Sequence, residues 1–105
     1  MTLERLTVAD FEPCVGLRFA VLHEGARDLS LVLVEARATS TAHGRDAGDA
    51  PGRTPFALLF RGPSSPVLAQ GIRRLRAPPP LGMLDLFLVP VGPSDGAMRY
   101  EAVFA

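Results

Sequence analysis

From Leu17 onward the chain runs in short apolar stretches separated by turn residues, and within each stretch apolar and polar positions alternate with the period of a β-strand. Leu17 to His23 sets Phe19 and Val21 on one face against Arg18, Ala20 and Leu22, and Glu24-Gly25-Ala26-Arg27-Asp28 supplies a hairpin loop. Leu29 to Ala38 follows, with Leu29, Leu31 and Leu33 on one face and Ser30, Val32 and Val34 on the other. Two apolar faces in one strand predict that both sides are covered, by the chain itself or by a partner. Pro55 to Arg61 alternates through Phe56, Leu58 and Phe60 and is stopped by Gly62-Pro63-Ser64-Ser65-Pro66. Gly71 to Ala77 reads as a polar strand ended by three prolines, which cannot donate to a ladder. Leu81 to Val91 is the most apolar segment, closed by Gly92-Pro93-Ser94-Asp95-Gly96. Ala97 to Ala105 points Met98, Tyr100, Ala102 and Phe104 inward and Arg99 and Glu101 outward.

Six strands and a short helix result. The helix lies within residues 1 to 16, where Thr7 caps it, Asp10 occupies a favourable first-turn position, Pro13 keeps it short and Gly16 ends it. Carrying Leu6, Val8, Phe11 and Val15, it is predicted to close one end of the sheet. Mostly short connections favour antiparallel neighbours, so the fold class is all-β: a small six-stranded antiparallel barrel, or a two-layer sandwich, with one short N-terminal helix. Eight strands enclose only enough space for packed side chains or one small ligand, so six predict a solid interior and binding on the outside. Residues 39 to 54 contain no apolar residue larger than alanine except proline, and read as a long polar loop serving as a connector.

At 105 residues the chain is one domain, spanning residues 1 to 105. Basic and acidic residues balance at 11 each, so no net field draws the chain to nucleic acid or an anionic membrane. All the basic residues are arginine; a GC-rich coding bias accounts for this, although arginine also favours bidentate contacts. No run reaches the roughly 20 apolar residues of a membrane helix, and no secretory leader pattern opens the chain, so a cytoplasmic location, or a particle assembled there, is expected. With Cys14 as the lone cysteine, the fold is expected to depend on packing without an internal disulfide.

No catalytic constellation emerges. His23 and His43 lack metal-ligand spacing, and His43 with Asp46 and Asp49 sits in the glycine-rich loop, where a preorganised site is not expected. Cys14, near the end of the helix, reads as a small buried hydrophobe. No serine occupies a nucleophile elbow, and the glycines of the loop do not form a phosphate loop. No cofactor, metal or small-molecule substrate is predicted, and the chain is read as a non-enzyme.

Two surface features remain. Arg73, Arg74 and Arg76 form a small basic cluster in which Arg74 and Arg76 project to one side and Arg73 to the other. Its ordinary reading is a solvated strand; a single-stranded nucleic-acid surface is the alternative, less favoured because the aromatics fall on inward positions. In the most apolar strand, Leu84, Leu86 and Leu88 share one face while Met83, Phe87 and Val89 share the other, so one apolar face is left for association.

The run Pro55-Phe56-Ala57-Leu58-Leu59-Phe60-Arg61-Gly62-Pro63, the pair Gln70-Gly71, the run Leu86-Phe87-Leu88-Val89-Pro90-Val91-Gly92-Pro93 and the ending Met98-Arg99-Tyr100-Glu101-Ala102-Val103-Phe104 resemble an uncharacterised family of short bacterial domains of unknown function. The opening Leu6-Thr7-Val8-Ala9-Asp10-Phe11 and Val15-Gly16 is similar to it too. The resemblance covers nearly the whole chain apart from residues 39 to 54, carries no catalytic residues, and implies an association with phage-tail-like proteins. This chain departs from the family pattern at Ile72-Arg73-Arg74, where an aromatic usually follows Gln-Gly. The expectation is a non-catalytic structural or protein-interaction module with a protein partner or self-association. The alternatives are a nucleic-acid-binding barrel using Arg73, Arg74 and Arg76, and a small-ligand binder or enzyme using the 39 to 54 loop.

Overall fold

The computed structural model describes residues 6–22, 29–39, 55–65 and 67–104. A single turn of helix, α1 (Val8–Phe11), passes into a 3-10 turn at Glu12–Cys14, and six strands follow: β1 (Arg18–Leu22), β2 (Leu29–Ala38), β3 (Phe56–Pro63), β4 (Gly71–Ala77), β5 (Gly82–Ser94) and β6 (Ala97–Phe104). The strands close into a barrel in the order β1-β2-β3-β6-β5-β4, and every pairing is antiparallel. The all-β barrel with one short N-terminal helix predicted from the periodicity is the fold.

Alternation decides which residues fill the barrel. Phe19 and Val21 of β1, Leu29, Leu31 and Leu33 of β2, Phe56, Leu58 and Phe60 of β3, Leu75 of β4, Leu84, Leu86 and Leu88 of β5, and Tyr100, Ala102 and Phe104 of β6 are all buried in one cluster. No charged or polar residue is buried among the described residues. In β2 the inward parity changes along the strand. The register slips between Leu33 and Glu35, leaving Val34 as the extra residue of a bulge, and beyond it Ala36 takes the inward position opposite Leu58. The second apolar face expected for this strand is accordingly uncovered: Val32 is half-buried and Val34 exposed.

Two ends of the chain's path close the barrel. Thr7 begins α1 with its backbone N–H donating to Asp10 Oδ2 at 2.7 Å, and this turn buries Phe11 against the ring pair Phe56–Phe104. Those two rings stack at 4.4 Å, and Phe11 approaches them at 5.7 and 5.6 Å. Leaving the helix, the chain is fastened to the bulged strand by Gly16 N–H donating to the Leu33 carbonyl and Leu33 N–H donating to that of Leu17. The expected role of the helix as an end closure follows from Phe11. Further along the interior, Phe19 meets Phe60 edge-on at 5.1 Å.

The one departure from neighbouring consecutive strands is the passage from β3 to β4, which are not adjacent in the barrel. Leu68 in this crossover packs on the core, and its N–H donates to the Tyr100 hydroxyl at 2.8 Å, so the crossover supplies the partner that a buried phenol needs. Strands also run further than their turn residues suggest. β3 continues through Gly62 and Pro63, and β5 through Pro90, Gly92 and Pro93 with a bulge between Pro90 and Gly92, because these residues sit in ladders with β6 at the barrel rim. The β5–β6 hairpin shrinks to Asp95 and Gly96, both at positive φ, the type I′ geometry that suits strand twist. The ends of the predicted 39 to 54 loop are held together by Thr39 N–H donating to the Pro55 carbonyl at 2.9 Å; residues 40–54 lie outside the described residues, as do His23 and the turn residues Glu24 to Asp28.

Packing at two points is sensitive to side-chain volume. Replacing Phe11 by alanine removes the ring that covers the Phe56–Phe104 stack and is expected to cost roughly 3–5 kcal/mol, read as a lowered urea midpoint with an unchanged slope. A Cβ placed on Gly62 would lie 2.5 Å from Leu31 Cδ2 and 3.4 Å from Tyr100 Cε1. Gly62→Ala is therefore expected to lose roughly 1–3 kcal/mol through overpacking in the same assay, whereas Gly→Ala in an open strand would gain stability.

Candidate functional site

With the interior filled, the surfaces available for function are the outward rows of the strands. β4 and β5 pair so that Ile72 stands opposite Phe87, Arg74 opposite Asp85 and Arg76 opposite Met83. Alternation turns all six outward, while Leu75, Leu84, Leu86 and Leu88 point into the core. Ile72 is 70% exposed and Phe87 50%. The β5–β6 ladder ends with Val89 opposite Glu101; two residues beyond, where its register would bring Val103 toward Phe87, Val103 faces outward and is 66% exposed. Ile72, Phe87 and Val103 thus make an apolar patch across three strands, with half-buried Val89 at its edge.

Next to the patch lies an ion pair. The Arg74 guanidinium forks onto the Asp85 carboxylate, Nε to Oδ1 at 2.9 Å and Nη2 to Oδ2 at 3.2 Å. The hydrogen bond from Arg74 holds the Asp85 carboxyl below its usual range, and the same bond raises the Arg74 guanidinium. Both side chains are well exposed, so the pair adds little stability but fixes two charges at the border of the apolar residues. Met83, exposed and opposite Arg76, sits beyond this pair and is separated by it from Phe87.

The predicted basic cluster is divided by the fold. Arg73 turns toward the barrel end, and its Nη2 donates to the Ala69 carbonyl at 2.8 Å. Arg74 is engaged with Asp85, which leaves Arg76 as the member of the trio whose guanidinium has neither a hydrogen-bond nor an ion-pair partner among the described residues. Of the residues singled out from the sequence, Met83, Phe87, Arg74 and Arg76 face outward on one ribbon, Val89 lies at the patch edge, and Arg73 faces away. Sequence reading missed Ile72, masked by the polar character of its strand, and Val103. Parity could have found both, since each stands at an outward position of an alternating strand.

No group of three or more metal-ligating side chains forms among the described residues. His43, Asp46 and Asp49 lie outside them. Cys14, the last residue of the 3-10 turn, is buried in the core cluster, and burial pushes its thiol up, as suits a small hydrophobe rather than a nucleophile. No helix among the described residues is long and apolar enough to cross a membrane.

A family model described as a domain of unknown function, DUF6916, matches residues 6–104. The chain belongs to the DUF6916 family. No curated protein and no solved structure matches it. The DUF6916 match spans the whole barrel of this chain, from Leu6 ahead of the helix to Phe104.

The Arg74–Asp85 fork gives a pH signature for the DUF6916 surface. A carboxyl depressed in the folded state stabilises the fold above the usual carboxylate range and loses that contribution as pH falls through its folded midpoint. The Asp85 side-chain carbon signal is expected to titrate below the usual aspartate range, and in Arg74→Ala to return to it. An Asp85 midpoint unmoved by that substitution would show that the fork does not form.

Proposed function

We propose that this barrel is a non-catalytic protein-interaction module, an accessory of a multi-protein assembly, that docks through the apolar patch of Ile72, Phe87 and Val103. The exposed Ile72–Phe87 pair carries this reading. Three large apolar side chains on adjacent strands form a contact core, and the Arg74–Asp85 fork beside them provides the charged rim that excludes water and sets orientation. A solid barrel offers no enclosed chamber for a substrate, which also favours contact by its outer wall. Within this proposal, the family resemblance points to a phage-tail-like particle assembled in the bacterial cytoplasm as the type of assembly. The nucleic-acid alternative is weakened by the engagement of Arg73 and Arg74 within the barrel itself.

Light scattering coupled to size exclusion, together with recovery of partners from native lysate, tests the proposal. The wild-type chain is expected to self-associate or to retain one stoichiometric partner. Ile72→Asp with Phe87→Asp should abolish either behaviour while far-UV circular dichroism and the unfolding midpoint stay near wild type, because both side chains are already outside the core. Association unchanged in the double variant would place the contact elsewhere on the wall.

A further inference from the structure

We infer that a band of four arginines, Arg76, Arg18, Arg61 and Arg99, forms a second binding site, on a different part of the wall, for an extended carboxylate-bearing peptide segment. The band follows from register. Arg18 pairs with Val32, Val32 with Arg61, and Arg61 with Arg99, so one outward row crosses β1, β2, β3 and β6 with three arginines and one valine. In the adjoining row Arg76 pairs with Ala20, and Ala20 with Ser30. In the closed order β4-β1-β2-β3-β6 the band follows four of the barrel's six strand spacings, about 19 Å along the backbone, so a segment that reaches all four guanidinia curves round the wall and needs more than the five or six extended residues of a straight span.

The four guanidinia make no ion pair among the described residues, although Arg37, Arg73 and Arg74 all find an oxygen partner. Arg61 and Arg99 stand directly opposite each other, an unfavourable placement of like charges that a bound anion would relieve. Arg99 Nε is buried without a hydrogen-bond partner. Among the described residues no acid pairs with the four: Glu35 and Glu101, one row away, are both within reach of Arg37, and Asp95 in the hairpin is not paired with any of them. Two open concavities of about 320 and 410 Å³ flank Arg18 and Ser30, the first reaching Arg61 and Gly96, the second Arg76 and Pro79.

The chemistry favours carboxylates on a peptide over a nucleic acid. Single-stranded nucleic acid needs stacking platforms as well as charge, and neither concavity is lined by an aromatic. Phe87, the one exposed aromatic among the described residues, belongs to the apolar patch. Arginine forks match carboxylates in bidentate fashion, and Val32 and Leu17 give apolar footing between them.

Fluorescence anisotropy on the full chain tests the site, with a labelled peptide of roughly ten alternating Asp and Glu residues and an oligothymidylate of similar length as probes. The peptide is expected to bind, to weaken as salt rises from about 50 to about 200 mM, and to weaken at least about tenfold in R61A/R99A and in R18A/R76A, each verified as folded by circular dichroism. Binding should survive in the Ile72→Asp, Phe87→Asp variant, which separates this site from the apolar patch. Absence of peptide binding at low salt, wild-type affinity in either arginine variant, or tighter binding of the oligothymidylate would overturn the assignment, the last in favour of a nucleic-acid surface.

Discussion

Closure of the barrel around its own side chains is the constraint from which the rest of this structure follows. With six strands, the inward positions fill with apolar side chains, leucine and phenylalanine above all, and alternation then forces every second residue onto the outer wall. Apart from the Tyr100 phenol, no polar or charged residue is buried among the described residues, so stability rests on packing, with Phe11 and the Tyr100–Leu68 contact finishing what the strands leave open. The bulge at Val34 belongs to the same constraint. Without it the second half of β2 would turn Arg37 inward; with it, Ala36 fills the space beside Leu58 and Arg37 reaches Glu101 on the wall.

A solid interior divides the chain's labour by parity. Inward residues are chosen for volume, and outward residues are free to carry chemistry, which in this chain means apolar side chains on β4, β5 and β6 and unpaired arginines on β4, β1, β3 and β6. An exposed isoleucine, phenylalanine and valine are not needed by the core. Neither are Arg61 and Arg99, whose mutual repulsion works against the fold. Features that cost stability or solubility on a wall that could be uniformly polar are the ones for which an external partner gives a physical reason.

The fold was largely legible in the sequence because strand periodicity has no competitor here: Phe56, Leu58 and Phe60, or Tyr100, Ala102 and Phe104, alternate without interruption, and Thr7, Asp10 and Pro13 mark a helix too short to be anything but a closure. Proline and glycine misled at the rim, where Gly62-Pro63 and Gly92-Pro93 are ladder residues next to β6 rather than turns. Strand order was hidden in the β3–β4 crossover, since chain order cannot show that Phe60 meets Tyr100. The candidate surfaces were legible only in part for the same reason. Met83 and Phe87 show themselves within one strand, but the shared outward placement of Ile72, Phe87 and Val103 is a property of three adjacent strands. The arginine band is invisible along the chain, where its members are separated by at least fifteen residues, and the conspicuous Arg73-Arg74-Arg76 cluster loses two of its three charges to the barrel's own oxygens.

The two proposed contact regions meet along β4. Arg76 belongs to the arginine band, Ile72 to the apolar patch, and the Arg74–Asp85 fork stands between them on the same outward row of that strand. A partner gripping the patch would therefore meet a neutralised pair before it met the free guanidinia. The fork keeps an Arg74 charge from extending the band into the patch, so each surface retains its own chemistry, apolar on one flank and cationic on the other. Such a wall disfavours head-to-tail stacking of copies, because the two flanks offer nothing complementary to each other: an apolar patch does not satisfy an arginine row, so the patch is matched by another apolar surface, on a second copy or on a different protein, and the arginines by an acidic one.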